Sequence, residues 1–140
     1  MASFVVDISD VSTDIRLFKP GIYEATVEKP TQDVSSTGNH MIKFNLRLYH
    51  PDLGEAVIRD NLPMTFAAKV KAFWMAFNDF NEADLAGVKE VRIDRVEDLE
   101  GAQILVQLGD QENKNTGKVY RTVVAPWYYP TSRADLLEPS

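Results

Sequence analysis

A chain of 140 residues, 44% hydrophobic and 26% charged, has the size and balance of one domain with its own core. The absence of cysteine excludes disulfides, thiol catalysis, cysteine-ligated zinc and iron–sulfur chemistry. A net charge of −6 and a pI near 4.9 argue against a protein that coats nucleic acid by bulk charge.

Residues 1–19 have no clean period, with Asp7, Asp10 and Asp14 among Val5, Val6, Ile8, Val11 and Ile15, and read as a loosely packed arm. Those aspartates also stand where a secretory signal needs a basic start, and no later window reaches about 18 apolar residues, so a soluble cytoplasmic protein with no membrane partner is expected. Pro20-Gly21 is a turn signal. Ile22–Glu28 then alternates, placing Tyr23, Ala25 and Val27 on the core face of a first strand. The segment from Pro30 to His40, rich in Ser, Thr, Gly and Asn, reads as a hairpin loop. Met41–Tyr49 is the clearest strand, with Ile42, Phe44, Leu46 and Leu48 on one face and Lys43, Asn45, Arg47 and Tyr49 on the other. His50–Gly54 turns the chain, and Glu55–Leu62 is a third strand closing at Pro63.

The period then changes. Phe66, Val70, Phe73, Trp74 and Phe77 fall on one helical stripe within residues 65–79, with Thr65 as the N-cap and Trp74 in the core. Residues 79–101 are acidic and turn-rich, and Asp98–Gly101 reads as the end of a short helical turn. Ala102–Gly109 is a fourth strand, residues 110–118 a polar hairpin loop, and Val119–Pro126 a fifth strand. Residues 127–140 read as an extended aromatic and acidic tail outside a domain spanning 1–126. Three strands, a helix and two strands is the element order of the OB-fold, a mainly β, five-stranded Greek-key barrel.

Catalysis has no candidate. His40 and His50 sit in predicted turns without partners at metal or triad spacing, and Asp94, Glu97, Asp98 and Glu100 lack the glycine-centred loop of an oxygen-ligand site. GxxxxGK, GxGxxG and GxSxG are all absent. A non-enzyme without cofactor or metal is therefore expected.

Binding has better candidates, because single-stranded nucleic acid requires only cations that follow phosphates and flat rings on which bases stack. Positive charge is segregated here: residues 41–71 carry five basic against three acidic side chains, and residues 113–133 four against none. With the apolar face of the second strand turned inward, Lys43, Arg47 and Tyr49 point outward together, and Arg59 on the third strand joins them. In an OB-fold, strands 2 and 3 form the binding face, flanked by two loops. The loop from Gln32 to His40 is the first, and Lys114, Lys118, Tyr120 and Arg121 furnish the second. Outward Lys and Arg on strands also serve solubility and edge protection. Trp127, Tyr128 and Tyr129 have three readings: capping the barrel, docking a partner, or stacking bases, with Trp127 the candidate for DNA contact.

Several segments in this order, FVVDISDV, KPGIYEATVEK, SSTGN, MIKFNLRL, RDNLP, KAFWMAF and DLEGAQILVQL, make most of the chain resemble the small OB-fold single-stranded-DNA-binding proteins of tailed bacteriophages. The resemblance implies sequence-tolerant binding of single-stranded DNA in phage replication, recombination or repair, in the host cytoplasm. Lys43, Arg47, Tyr49 and Arg59 form the matching sheet face, and the implied partners are phage or host replication and recombination proteins. Many such proteins end in a strongly acidic tip finishing in phenylalanine, whereas this chain ends ADLLEPS, with only Asp135 and Glu138. The competing expectation is a structural or assembly module, such as a virion or adaptor protein, which forms a homo-oligomer through its aromatic tail and strand edges and has no DNA affinity.

Overall fold

A computed structural model describes residues 3–5, 14–90, 93 and 95–137. Among them five strands form one antiparallel sheet: β1 (Gly21–Val34), β2 (His40–His50), β3 (Gly54–Pro63), β4 (Gln103–Glu112) and β5 (Val119–Tyr129), with helix α1 (Ala67–Asn78) between β3 and β4. The order across the sheet is β3-β2-β1-β4-β5. The chain is thus mainly β, in an arrangement consistent with a barrel-like fold.

The alternation in β2 fixes which face is core. Ile42, Phe44, Leu46 and Leu48 are all buried, and the register sets Leu46 between Val27 of β1 and Ile58 of β3, and Leu48 between Ala25 and Ala56. Tyr23 is buried, as its face requires, and its hydroxyl donates to the Lys19 carbonyl at 2.6 Å. Phe73 of α1 closes the core over this sheet, its ring 5.3 Å from those of both Phe44 and Tyr128.

Four local expectations are revised. First, β1 does not end at Glu28. Its register jumps from Glu28 opposite Asn45 to Thr31 opposite Lys43, so Lys29 and Pro30 together oppose Phe44 in a bulge, and pairing resumes to Val34. Thr31–Val34 are all exposed, so no burial period marks them as strand, and the loop shrinks to residues 35–39, where Gly38 takes φ 85°. Second, Thr65 does not cap α1. Phe66 holds the N-cap position without a side-chain bond, and the buried face is Lys69, Val70, Phe73 and Ala76. That face is rotated from the predicted stripe: Phe66 and Phe77 are exposed, and Trp74 is half-buried against Phe80, their rings 5.3 Å apart.

Third, the arm is anchored at its end. Asp14 caps a 3-10 turn over Ile15–Leu17, and Phe18, fully buried, packs its ring 5.3 Å from Tyr23 and 5.7 Å from His50. The predicted loose packing of residues 6–13 lies outside the described residues. Fourth, residues 127–129 belong to the sheet. Val123 pairs with Leu108 and Tyr128 with Val106, so Val124–Trp127 bulge opposite Gln107 before β5 re-enters the ladder. A boundary at Pro126 therefore falls inside a strand, and residues 131–136 form two 3-10 turns kinked at Arg133 rather than an extended tail. Gly109 lies beneath the start of that bulge, where a Cβ would sit 2.7 Å from Cγ2 of Val124.

The helical turn expected before the fourth strand is present as a 3-10 turn at Val96–Leu99. Gly101, at φ 84°, turns the chain into β4 while its N–H donates to the Val27 carbonyl.

Candidate nucleic-acid interface

Because β2 turns its apolar residues inward, its polar residues lie on the outer face in register with those of β3. Lys43 stands opposite Asn61, Asn45 opposite Arg59, Arg47 opposite Val57, and Tyr49 opposite Glu55. The structure divides the predicted face into two parts. Lys43, Arg59 and Tyr120 line one groove of about 620 Å³, together with Lys29, Asn45, Asn61 and Lys69. Arg47 and Tyr49 line a separate depression with Glu24, Thr26 and Gln103.

The two parts differ in electrostatics. Arg59 is exposed and makes no ion pair among the described residues, and the same holds for Lys29. Lys43 pairs with Asp33 at 2.8 Å, both side chains about half exposed. The Lys43 hydrogen bond, with a second from the Val34 N–H, holds Asp33 below the usual carboxylate range. An exposed pair of this kind is screened by solvent and adds little, so a phosphate can replace Asp33 at little cost. Arg47 is committed further: its Nε donates to Glu28 at 2.9 Å and its Nη1 to Glu55 at 3.2 Å. Burial opposes its charge, but the two carboxylates outweigh that effect and hold its pKa above the usual arginine value.

Arg121 ties the arm to the β4–β5 hairpin. Its Nε donates to Asp110 at 2.6 Å and its Nη1 to the Phe18 carbonyl, with the side chain only 17% exposed. Lys114 and Lys118 lie in the exposed β4–β5 turn with no ion pair among the described residues. The aromatic triple separates: Tyr128 enters the core, the Tyr129 hydroxyl donates to Gln107 at 2.9 Å, and Trp127 is half-buried with its ring 5.1 Å from that of Phe66, edge to face. His50 serves its turn, its Nδ1 accepting from the N–H groups of Asp52 and Leu53.

Two groove residues have no place in the sequence-based site. Lys29 reaches the groove from the β1 bulge, where its backbone takes a left-handed φ of 51° and its N–H donates to Glu100 at 2.5 Å. Pro30 inside an otherwise strand-like stretch is the sequence signal for that bulge. Lys69 is buried on α1, its Nζ 2.7 Å from Asp60 Oδ1, while Asp60 Oδ2 accepts from the Tyr128 hydroxyl. This cluster joins β3 to β5, the two edge strands of the sheet. Its signal is positional: Lys69 stands three residues after Phe66 and four before Phe73, among the apolar positions of the helix.

Among the described residues no helix is long and apolar enough to cross a membrane, and no group of three or more His, Asp or Glu could hold a metal ion. No protein-family model and no curated protein matches this chain.

Proposed function

We propose that this protein binds single-stranded DNA with little dependence on sequence, without catalysis, in a groove on an OB-type Greek-key barrel. One observation carries the reading: Lys29, Lys43 and Arg59 converge on a single groove with the exposed ring of Tyr120. Two of these cations lack an ion pair among the described residues and the third has only a solvent-exposed one, so the groove can exchange water and Asp33 for phosphate. Tyr120 supplies a flat surface that any base can stack on.

The fold gives further support. A central β1 flanked by β2 and β4, with the helix between β3 and β4, suits a barrel whose binding face comprises strands 2 and 3 and the loops joining strands 1–2 and 4–5. The groove draws on those same parts: the β1 bulge, β2, β3 and the β4–β5 hairpin. Lys114 and Lys118 flank it on the hairpin turn, whereas Arg47 and Arg121 contribute mainly to holding the sheet and arm. The acidic remainder of the molecule discourages unspecific association. Phage replication, recombination or repair in a host cytoplasm, with the replication proteins found there as partners, is the setting we infer from the resemblance. The assembly reading draws less support, since its aromatic docking element is largely used in packing: Tyr128 is core and Trp127 rests on Phe66.

The test is fluorescence anisotropy with a labelled dT oligonucleotide of about thirty nucleotides, at low and moderate salt, with a duplex of equal length as control. Binding to the single strand that weakens with salt, and a loss of about tenfold or more in Arg59→Glu, are expected. No binding to the single strand at low salt, together with concentration-dependent sedimentation, would instead establish the assembly reading.

A further inference from the structure

The outer face that lines the groove is patterned in a way phosphate binding alone does not call for. On β2 and β3, Lys43 lies opposite Asn61, and one step along, Asn45 lies opposite Arg59. Cations occupy one diagonal of this four-residue square and side-chain amides the other. The same groove is lined by Gln111 and Tyr120, a directly opposed pair in the β4–β5 ladder. Among the described residues none of the three amides, on Asn45, Asn61 and Gln111, hydrogen-bonds to another part of the chain.

Cations and amides do different work on a nucleic acid. A phosphate is the same at every nucleotide, so Lys43 and Arg59 carry no sequence information. A primary amide presents an acceptor and two donors in one plane, and the edge of a base also carries its donors and acceptors in one plane, in a pattern that differs from one base to the next. Amides that line the same groove as a stacking ring and two cations are placed to meet the edge of a base whose phosphate one of those cations holds.

Resting on the function proposed above, we propose that the groove reads one nucleotide of the bound strand: its base stacks on Tyr120, its edge meets the amides of Asn45, Asn61 and Gln111, and its phosphate lies on Arg59 or Lys43. Binding is therefore tolerant of sequence but not blind to it. One position in each binding site carries a base preference superimposed on a uniform electrostatic affinity.

The test compares labelled dT and dC strands of about twelve nucleotides, both of pyrimidines, at one fixed salt concentration. The wild-type dissociation constants are expected to differ by about threefold or more, and the Asn45→Ala/Asn61→Ala variant to reduce that ratio by at least half. Lys43→Ala is expected to weaken both strands alike and leave the ratio in place. Gln111→Ala, on β4, is the second variant should the double substitution disturb the sheet, which far-ultraviolet circular dichroism reports. A wild-type ratio below threefold, or one that neither amide variant changes, overturns base reading while leaving the binding proposal standing. Failure of both strands to bind overturns the binding proposal itself.

Discussion

Lys69, Asp60 and Tyr128 bring a cation, a carboxylate and a phenol together in a nearly dry site. Lys69 and Asp60 side chains are 11% and 9% exposed. A buried ion pair is tolerated when its remaining hydrogen-bonding capacity is met, and the Tyr128 hydroxyl meets the second carboxylate oxygen of Asp60. Burial, then the negative charge of Asp60 and the bond to it, push the Tyr128 pKa well above the ordinary tyrosine value. A raised folded-state value means that the contribution to stability is complete below the unfolded value, about 10. Above that pH the unfolded chain releases a proton that the folded chain retains, so stability falls until the folded value is passed. Urea unfolding between pH 8 and pH 11 is expected to show this decline, and to show a shallower one in Tyr128→Phe. At pH 8 the variant should lose about 1–3 kcal/mol, because Asp60 Oδ2 then lacks its donor in a buried place while Lys69 still holds Oδ1. Equal declines in the two proteins would contradict the assignment. None of this was legible locally: the role of Tyr128 depends on a four-residue bulge, so strand alternation could not tell which ring of Trp127, Tyr128 and Tyr129 turns inward.

At the scale of elements, the strands were readable wherever one face is core and the other wet. Residues 41–49 show this, since each inward side chain is buried and the alternation has no break. Legibility failed where pairing continues without burial, as in Thr31–Val34, or where a bulge shifts the register, as after Glu28 and after Val123. The same gap hid much of the site. Arg47 reads as a free outward cation, yet Glu28 from one neighbouring strand and Glu55 from the other hold it, and only the cross-strand register reveals them. The end of β5 gives an element-scale prediction. Truncation after Pro126 removes Tyr128, whose ring packs edge to face on Phe73, and loss of a buried aromatic of this size costs about 3–5 kcal/mol. Thermal melting should show a fall of about 10–20 °C or no cooperative transition. Truncation after Pro130 removes only exposed or half-buried side chains among those described, and its midpoint should stay within about 5 °C of the full chain. Equal melting of the two shortened chains would show that Tyr128 is dispensable to the core.

For the whole molecule, the question raised by the proposed function is how a protein of net charge −6 would attract a polyanion. Screening confines the answer to local charge: at physiological salt, fields fade over roughly 8 Å, so a strand bound as proposed would sense the cations around the groove far more than the acidic stretch at residues 79–112. Lys29, Lys43 and Arg59 lie on the groove, and Lys114 and Lys118 extend the positive surface along the β4–β5 turn. If three to five phosphates are neutralised, the logarithm of the binding constant should fall against that of salt with a slope of about −2 to −3.5, at about 0.7 per contact on a single strand. Lys114→Glu/Lys118→Glu separates the turn from the groove. Both lysines are exposed and outside the core, so the fold should persist while the slope shrinks in magnitude by about 1.4, two contacts' worth. Affinity should fall for every sequence alike, because phosphate contacts position a strand without reading it. An unchanged slope would place the whole interaction in the groove and leave the turn lysines as ordinary surface. A slope reduced almost to zero would make the turn, and not the β2–β3 face, the principal seat of binding.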